Sequence, residues 1–479
     1  MVSPAIVWLR QDLRLADNPA LSAAAASGRP VVPVFVLEDE SERPWPLGGA
    51  SRWWLHHSLA AVGASLAALG SPLVLRRGEA AREIGRLAVE TGAGAVFWNR
   101  RYDLHGIQAD TEIMAALKER GIEVRSFNAG LLFEPWQIKT GAGEPFKVFT
   151  AFWRACLARG EVAAPLPAPA ALAAPDLAVP GEALAAFALT PARPDWAAAF
   201  PALWTPGEAG ARARLAAFLG GGLEDYAAAR DRPDRDSTSR LSPHLHFGEI
   251  GPRQIWHAVH LAAGRDRALA GGAEKFLAEI GWREFSHHLL HQAQYLPERP
   301  FRAGFEHFPW ADDPAGLAAW RKGLTGIPIV DAGMRQLWTY GWMHNRVRMI
   351  AASFLVKHLL IPWQAGEAWF RDTLVDADLA NNAAGWQWVA GCGADAAPYF
   401  RVFNPVLQGE KFDPEGGYVR AHVPELARLP ARWIHRPWEA PAAVLAEAGV
   451  TPGRSYPAPI VDLQAGRQRA LAAFAALKA

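Results

Sequence analysis

Five short apolar runs, at residues 5–9, 31–37, 73–75, 95–98 and 122–127, recur between helical patterns in the first quarter of the chain. Each run is apolar without alternation, as strands covered on both faces are, and helical stretches at 52–69 and 107–119 supply crossovers. This rhythm constrains the fold more than any other feature. It predicts a doubly wound, Rossmann-like parallel sheet over residues 1–130. No G-x-G-x-x-G opens a helix after a strand and no G-x-x-x-x-G-K-[ST] occurs, so the sheet is not expected to handle dinucleotide or nucleoside-triphosphate phosphates.

Beyond the sheet the rhythm stops. Residues 161–200 contain 16 alanines and 7 prolines, a composition that breaks helices and reads as an extended connector, taken to span 131–204. From 205 to 479 the patterns are helical, at 209–220, 252–263, 273–292, 331–360 and 366–380, so the second domain is expected to be all-helical. A chain of 479 residues exceeds what one core serves, in agreement with two domains. Cys156 and Cys392 are the two cysteines, too few for a disulfide framework or a four-cysteine metal site, and they fit a reducing cytoplasm. No stretch reaches the roughly 20 apolar residues that a membrane helix needs, so neither export nor insertion is expected. With a net charge of +1, a polyanion would have to meet a local basic surface. Tryptophan outnumbers tyrosine by 21 to 7, which supplies many flat, oxidisable rings.

Several clusters carry chemistry. Residues 238–243, Thr-Ser-Arg-Leu-Ser-Pro, set three hydroxyls and a guanidinium beside a helix start, with Ser242 as expected N-cap and Pro243 at the first helical position. Such a segment suits a phosphate, and it is also what an ordinary capped turn contains. Glu279, Trp282 and Arg283 stand at i, i+3 and i+4, so a carboxylate, an indole and a cation share one helix face. On a helix expected from 341 to 360, Trp342, Asn345, Met349 and Ala352 share a face flanked by Arg346 and Arg348. Arg335, Arg346, Arg348 and Lys357 occur between 332 and 366 without any Asp or Glu, which predicts a basic patch. Residues 376–388 bring acids, amides and indoles into thirteen positions, with Asn382 and Trp386 one turn apart. His287, His288 and His291 have no H-E-x-x-H context and no clear third ligand, so no metal is expected.

Taken in order, Trp8-Leu-Arg10-Gln-Asp12-Leu-Arg14, 238–242, Gly341-Trp342-Met343-His344-Asn345-Arg346, 376–388 and Tyr399-Phe400-Arg401-Val402-Phe403-Asn404-Pro405 resemble the photolyase/cryptochrome family over nearly the whole chain. The likeness is strongest to bacterial members that split cyclobutane pyrimidine dimers. It implies a helical FAD-binding domain and deoxyribodipyrimidine photo-lyase activity, a carbon–carbon lyase reaction. In that reaction reduced, anionic FAD gives a light-driven electron to a flipped-out dimer in UV-damaged DNA. By the same resemblance Tyr226, Thr238, Ser239, Arg240, Leu241 and Ser242 grip the pyrophosphate side of FAD. Asn345, Arg348, Asp376, Asp378 and Asn382 surround its ring and ribose, Arg348 and Asp376 as a charged pair and Asn382 facing flavin N5. Phe276, Glu279 and Arg283 complete the cofactor contacts, Phe276 standing where relatives carry a tryptophan. Arg230, Glu279, Trp282, Asn345, Arg346, Met349, Trp388 and Arg401 match DNA- and lesion-contacting positions. Trp386, Trp363 and Trp310 match an electron-hopping chain, and with Glu279 and Asn382 they form the expected catalytic set.

The physics of the reaction agrees. A dimer stacked in duplex DNA must be flipped into a pocket walled by aromatic faces, which Trp282 and Trp388 offer. Glu279 and Asn345 would bind its edges, and Met349 would fill the remaining apolar space. The antenna pigment of the sheet domain is expected to be methenyltetrahydrofolate, with a deazaflavin as the alternative. The acidic contact that some folate-binding relatives have after an Asn-x-x-Tyr motif has no match in Asn99-Arg-Arg-Tyr102-Asp-Leu-His105-Gly106, so the folate is expected in another pose. The competing reading is a cryptochrome-type blue-light photoreceptor with little or no repair. Against it, the chain ends at Ala479 with little tail for a signalling partner, and the amide of Asn382 stands where plant receptors tend to carry an acid. A monomer in the bacterial cytosol, working on the nucleoid, is expected.

Overall fold

The computed structural model describes residues 2–38, 45–396 and 400–477. Tyr399 of the last motif lies outside them. The five apolar runs are five parallel strands: β1 (Ala5–Leu9), β2 (Val31–Leu37), β3 (Val74–Arg77), β4 (Ala95–Asn99) and β5 (Glu123–Phe127). Their order is β3-β2-β1-β4-β5, with Ala5 in register with Val31 on one side and Ala95 on the other. β1, β2 and β4 are buried at every position, which is why they read as unbroken apolar runs. β5 departs from that expectation. Glu123 and Arg125 are exposed, so one face of this edge strand is left open to water. The helices Gly49–Ala68 and Leu104–Glu119 are two of the crossovers, and Pro19–Ala26 and Ala80–Thr91 are the others.

In a sheet of this order a ligand would be sought where the strand order reverses, at the carboxyl ends of β1 and β4. Here the chain fills that crevice itself. Arg10 bonds Asp110 at 2.6 Å and the carbonyl of Asn99, and the Asn99 amide donates to Asp12 and Asn18. The missing phosphate motifs agree with this internal polar plug.

By internal packing the chain forms two compact units. One comprises Met1–Trp196, Pro201–Glu224 and Ser239–Gln294, and the other Ala197–Phe200, Asp225–Thr238 and Tyr295–Ala479. These limits differ from the compositional ones at 130 and 204. The long helix Ala270–Gln292 packs in the sheet-bearing unit, against Phe149–Ala158.

The second unit is helical around a core that includes Trp320, Met334, Val347, Phe354, Trp363 and Trp386. The pattern at 331–360 is not one helix. Pro328–Tyr340 ends at Gly341, whose φ of +65° is left-handed, and a Cβ there would meet the Phe200 ring at 2.7 Å. The chain restarts as Asn345–Ser353 and continues as a π-helical turn, Phe354–His358. Trp342 therefore precedes the helix that carries Asn345, and the expected common face loses it. The pattern at 366–380 likewise divides into Trp363–Thr373 and Leu379–Ala390.

Candidate functional site

In the sheet-bearing unit, Ser239, Arg240, Leu241 and Ser242 lead into the short helix Ser242–His246. Leu241, not Ser242, is the N-cap, so the exposed Ser242 begins the first turn. Ser239 Oγ accepts from the Leu241 amide at 3.4 Å, and Arg240 has a φ of +49°, unusual for a side-chain-bearing residue. On Ala270–Gln292, Phe276 is buried against Phe218, with ring centres 4.6 Å apart. Trp282 is half-buried, and Phe149 stacks on one of its faces at 3.8 Å. Arg283 donates to the carbonyl of Gly130 at 2.6 Å. Glu279 is half-buried and engaged within the protein. Next along the helix, Glu284 is buried and accepts from the amides of Leu132 and Phe133. Burial pushes its carboxyl up to about 7, with Arg283 opposing.

In the second unit the restart after Gly341 governs the geometry. His344 caps the new helix, its Nδ1 accepting from the Arg346 amide at 3.2 Å, and burial holds it neutral with a pKa lowered to about 4. Asn345 is thereby exposed in the first turn, with Met349 one turn further on. Arg348 donates to Asp376 at 2.8 Å and to the carbonyl of Met343 at 2.7 Å, so the expected charged pair exists. Asp378 caps the helix Leu379–Ala390, accepting from the Asn381 amide. Asn382 donates its side-chain nitrogen twice to Glu367, to the carbonyl at 3.1 Å and to Oε1 at 2.8 Å. Its Oδ1 is consequently the end it presents elsewhere. Burial raises the Glu367 carboxyl, with Arg371 and the Asn382 bond opposing. Tyr226 is buried, with the Arg230 guanidinium 5.6 Å above its ring. Trp388 donates to the carbonyl of Asp395 at 3.1 Å.

Trp386 and Trp363 are both buried in this core, and Trp310 packs against it. The ring neighbours of Trp386 are Phe370 at 4.9 Å and Trp320 at 6.1 Å, while Trp310 lies 4.3 Å from Phe308.

The basic patch expected from 332–366 does not form as one surface. Lys357 is buried, donates to the carbonyl of Ala390 and sits 3.0 Å from the Phe400 ring centre, its pKa lowered by burial to about 6. Arg335 pairs with Glu425, and Arg348 with Asp376. The positive surface arises instead from distant segments, since Arg346 and Arg401 share a pocket of about 580 Å³ with Arg232 and Lys411. The sequence reading missed the last two, and no local pattern joins them to Arg346. Glu367 was missed for the same reason, lying 15 residues before Asn382. A second pocket, of about 480 Å³, lies in the sheet-bearing unit among Arg100, Tyr102, Lys118, Trp136 and His291. Among the described residues no cluster of three or more metal-ligating side chains occurs, and no helix is long and apolar enough to cross a membrane.

Comparison with known proteins gives these positions a frame. Residues 5–170 match the family model described as DNA photolyase, and residues 276–476 match the FAD binding domain of DNA photolyase. A deoxyribodipyrimidine photo-lyase of Agrobacterium fabrum is 53% identical over 477 residues, covering 99% of this chain and 98% of that protein. Cryptochrome-1 of Arabidopsis thaliana is 41% identical over 97% of this chain and 69% of its own length. The crystal structure of a bacterial class III photolyase from Agrobacterium tumefaciens superposes with a TM-score of 0.95 at 52% identity, over 100% of this chain and 98% of that one. Two family models matched in order along a single chain, and a relative identical at more than half of its positions from end to end, have one reading: the chain belongs to the DNA photolyase family.

Proposed function

We propose that the chain repairs UV-damaged DNA in the light, splitting cyclobutane pyrimidine dimers with reduced FAD. The observation that carries this reading is the set of Arg348, Asp376 and Asn382 in the second unit, which fits a reduced flavin. Arg348 and Asp376 form a charged pair that would sit against the polar edge of the ring system. Because Glu367 takes both hydrogen bonds from the Asn382 nitrogen, Asn382 offers an oxygen, an acceptor suited to the N5–H of a reduced flavin. An amide has no proton to give in this range of pH, so it favours the anionic cofactor over further protonation. The chemistry FAD supplies when bound is one light-driven electron to the cyclobutane ring and its recovery once the ring has split.

The chain's own residues would bind and orient. Tyr226, Thr238, Ser239, Arg240, Leu241 and Ser242 would hold the pyrophosphate side of the cofactor, with Phe276, Glu279, Arg283 and Asp378 completing its surroundings. Trp282, with Phe149 stacked on one of its faces, and Trp388, its indole donating to the carbonyl of Asp395, would offer aromatic faces to the flipped dimer. Glu279 and Asn345 would read its polar edges, Met349 would fill the apolar gap, and Arg230, Arg346 and Arg401 would meet the phosphates. Trp386, Trp363 and Trp310 would re-reduce the cofactor. For the antenna we favour methenyltetrahydrofolate over a deazaflavin. The pocket beside Tyr102 and Trp136 offers aromatic faces for a pterin and, in Arg100 and Lys118, cations for a glutamate tail. In functional terms we divide the chain into an antenna region at 1–130, a connector at 131–204 and a catalytic region at 205–479, working as a monomer in the cytosol.

The test is substrate choice. Repair of six-four photoproducts needs an acid to move a proton, and neither Asn345 nor Met349 can serve. Purified, FAD-loaded protein is expected to restore cyclobutane dimers under near-UV or blue light and to leave six-four photoproducts unchanged. Restoration of both lesions at similar rates would refute the specificity, and restoration of neither would refute the repair reading.

A further inference from the structure

The pocket of about 580 Å³ in the second unit is lined by four cations, Arg232, Arg346, Arg401 and Lys411, and by a single carboxylate, Asp231. Arg346 is held rather than free. Its Nη2 lies 2.8 Å from Asp231 Oδ2, and its guanidinium carbon lies 4.4 Å from the centre of the Phe412 ring. Lys411 approaches the same ring at 5.0 Å. Arg346 Nε is buried and has no hydrogen-bond acceptor among the described residues. Arg232 is fixed separately, by two bonds of 2.8 and 2.6 Å to Asp234. A carboxylate at the wall of a pocket that would receive phosphate weakens phosphate binding, so its presence needs a physical reason.

We propose that Asp231 is a positioning residue that sets how strongly this enzyme prefers damaged over undamaged DNA. The inference rests on the reading of Arg346 and Arg401 as DNA contacts. Two effects act through the carboxylate. Its charge repels every phosphate, whatever the DNA. Its bond to Arg346, with Phe412 beneath, fixes the guanidinium in one orientation, and a phosphate arriving in the matching geometry does not have to order that side chain. The fixed geometry suits the single placement of a lesion complex. Undamaged DNA binds in many registers and gains most from arginines free to follow the backbone. Loss of the carboxylate therefore helps undamaged DNA twice, by lower repulsion and by freer reach. Dimer DNA gains only the lower repulsion, offset by the need to order Arg346.

The test uses FAD-loaded protein in the dark, with a duplex carrying one thymine dimer and its undamaged twin, each bound at several salt concentrations. In Asp231→Asn, affinity for undamaged DNA is expected to rise about fivefold, with a salt dependence steeper by about one phosphate contact. Affinity for the dimer duplex should change by less than about twofold, so the preference falls, and Asp231→Glu should restore it. Asp231 Oδ1 also lies 3.7 Å from Arg230 Nε, so in a background of Arg230→Gln with Arg346→Gln, Asp231→Asn should raise both affinities equally, since neither guanidinium it pairs with is left to position. An equal rise for both duplexes in the parent background would overturn the positioning role and leave simple repulsion. No change in Asp231→Asn, while Arg346→Ala weakens binding to both duplexes, would overturn the inference and keep the DNA reading. Should Arg346→Ala and Arg401→Ala both bind DNA as the parent does with the same salt dependence, the pocket is not a DNA contact and the underlying reading falls as well. Asp231 is one-third exposed, and FAD content and thermal midpoint measured alongside separate these outcomes from misfolding.

Discussion

Glu284 and Asn382 illustrate how much a single side chain owes to groups far away in sequence. Glu284 lies beside Arg283, yet burial dominates its titration and raises the carboxyl to about 7. The folded state then binds a proton that the unfolded state, titrating near 4.5, has released. Stability contributed by this group is fully present below about pH 4.5 and is lost as pH rises through about 7. Glu284→Gln keeps the shape without titrating, so the stability of the parent should fall relative to the variant between pH 4.5 and 7. The change should be on the order of 3 kcal/mol, read from urea unfolding at the two ends of that range. Parallel pH profiles for the two proteins would show that Glu284 titrates normally. Asn382 was legible in sequence as a polar residue facing the same way as Trp386. Which end of its amide faces outward is set by Glu367, and nothing in the local pattern foretells that.

Among the elements, the helices Trp363–Thr373 and Leu379–Ala390 approach so closely that a Cβ on Gly366 would lie 2.1 Å from the Trp386 ring. That approach is what encloses Trp386 in the core and isolates its indole from water. Trp386→Phe fills most of the same space but gives a ring much harder to oxidise. We expect the variant to bind FAD and to repair dimers once the flavin has been reduced chemically. Light-driven reduction of oxidised flavin, followed by absorbance, should be lost. Photoreduction at the parent rate would assign electron supply to other rings. Helix boundaries were the least legible feature at this scale. The apolar pattern runs on through 331–360, but Gly341 must turn left-handed beneath the Phe200 ring, so Asn345 and Arg346 begin a new helix. Sequence periodicity does not register a constraint imposed by a residue 141 positions earlier.

For the molecule as a whole, a cofactor that binds only the folded state adds to its stability by mass action. Removal of FAD should lower the thermal midpoint by several degrees, and the loss should be restored by added FAD in a concentration-dependent way. At a hundredfold excess over Kd the stabilisation is about 2.7 kcal/mol. Identical melting of the FAD-loaded and stripped protein, followed by circular dichroism, would count against a resident flavin. Sequence alone determined the parallel sheet, the helical character of the remainder and the family, because these depend on hydrophobic period and on contiguous motifs that local chemistry dictates. It also named Arg348, Asp376 and Asn382, which lie within or beside such motifs. Only the tertiary structure decided that Lys357 is buried and its pKa lowered, and that Arg346 and Arg401 find their companions in Arg232 and Lys411. It likewise decided that Asp231 stands among those cations and that Glu367 orients Asn382. Burial and charge pairing depend on what surrounds a side chain in space, and residues distant in the chain supply those surroundings.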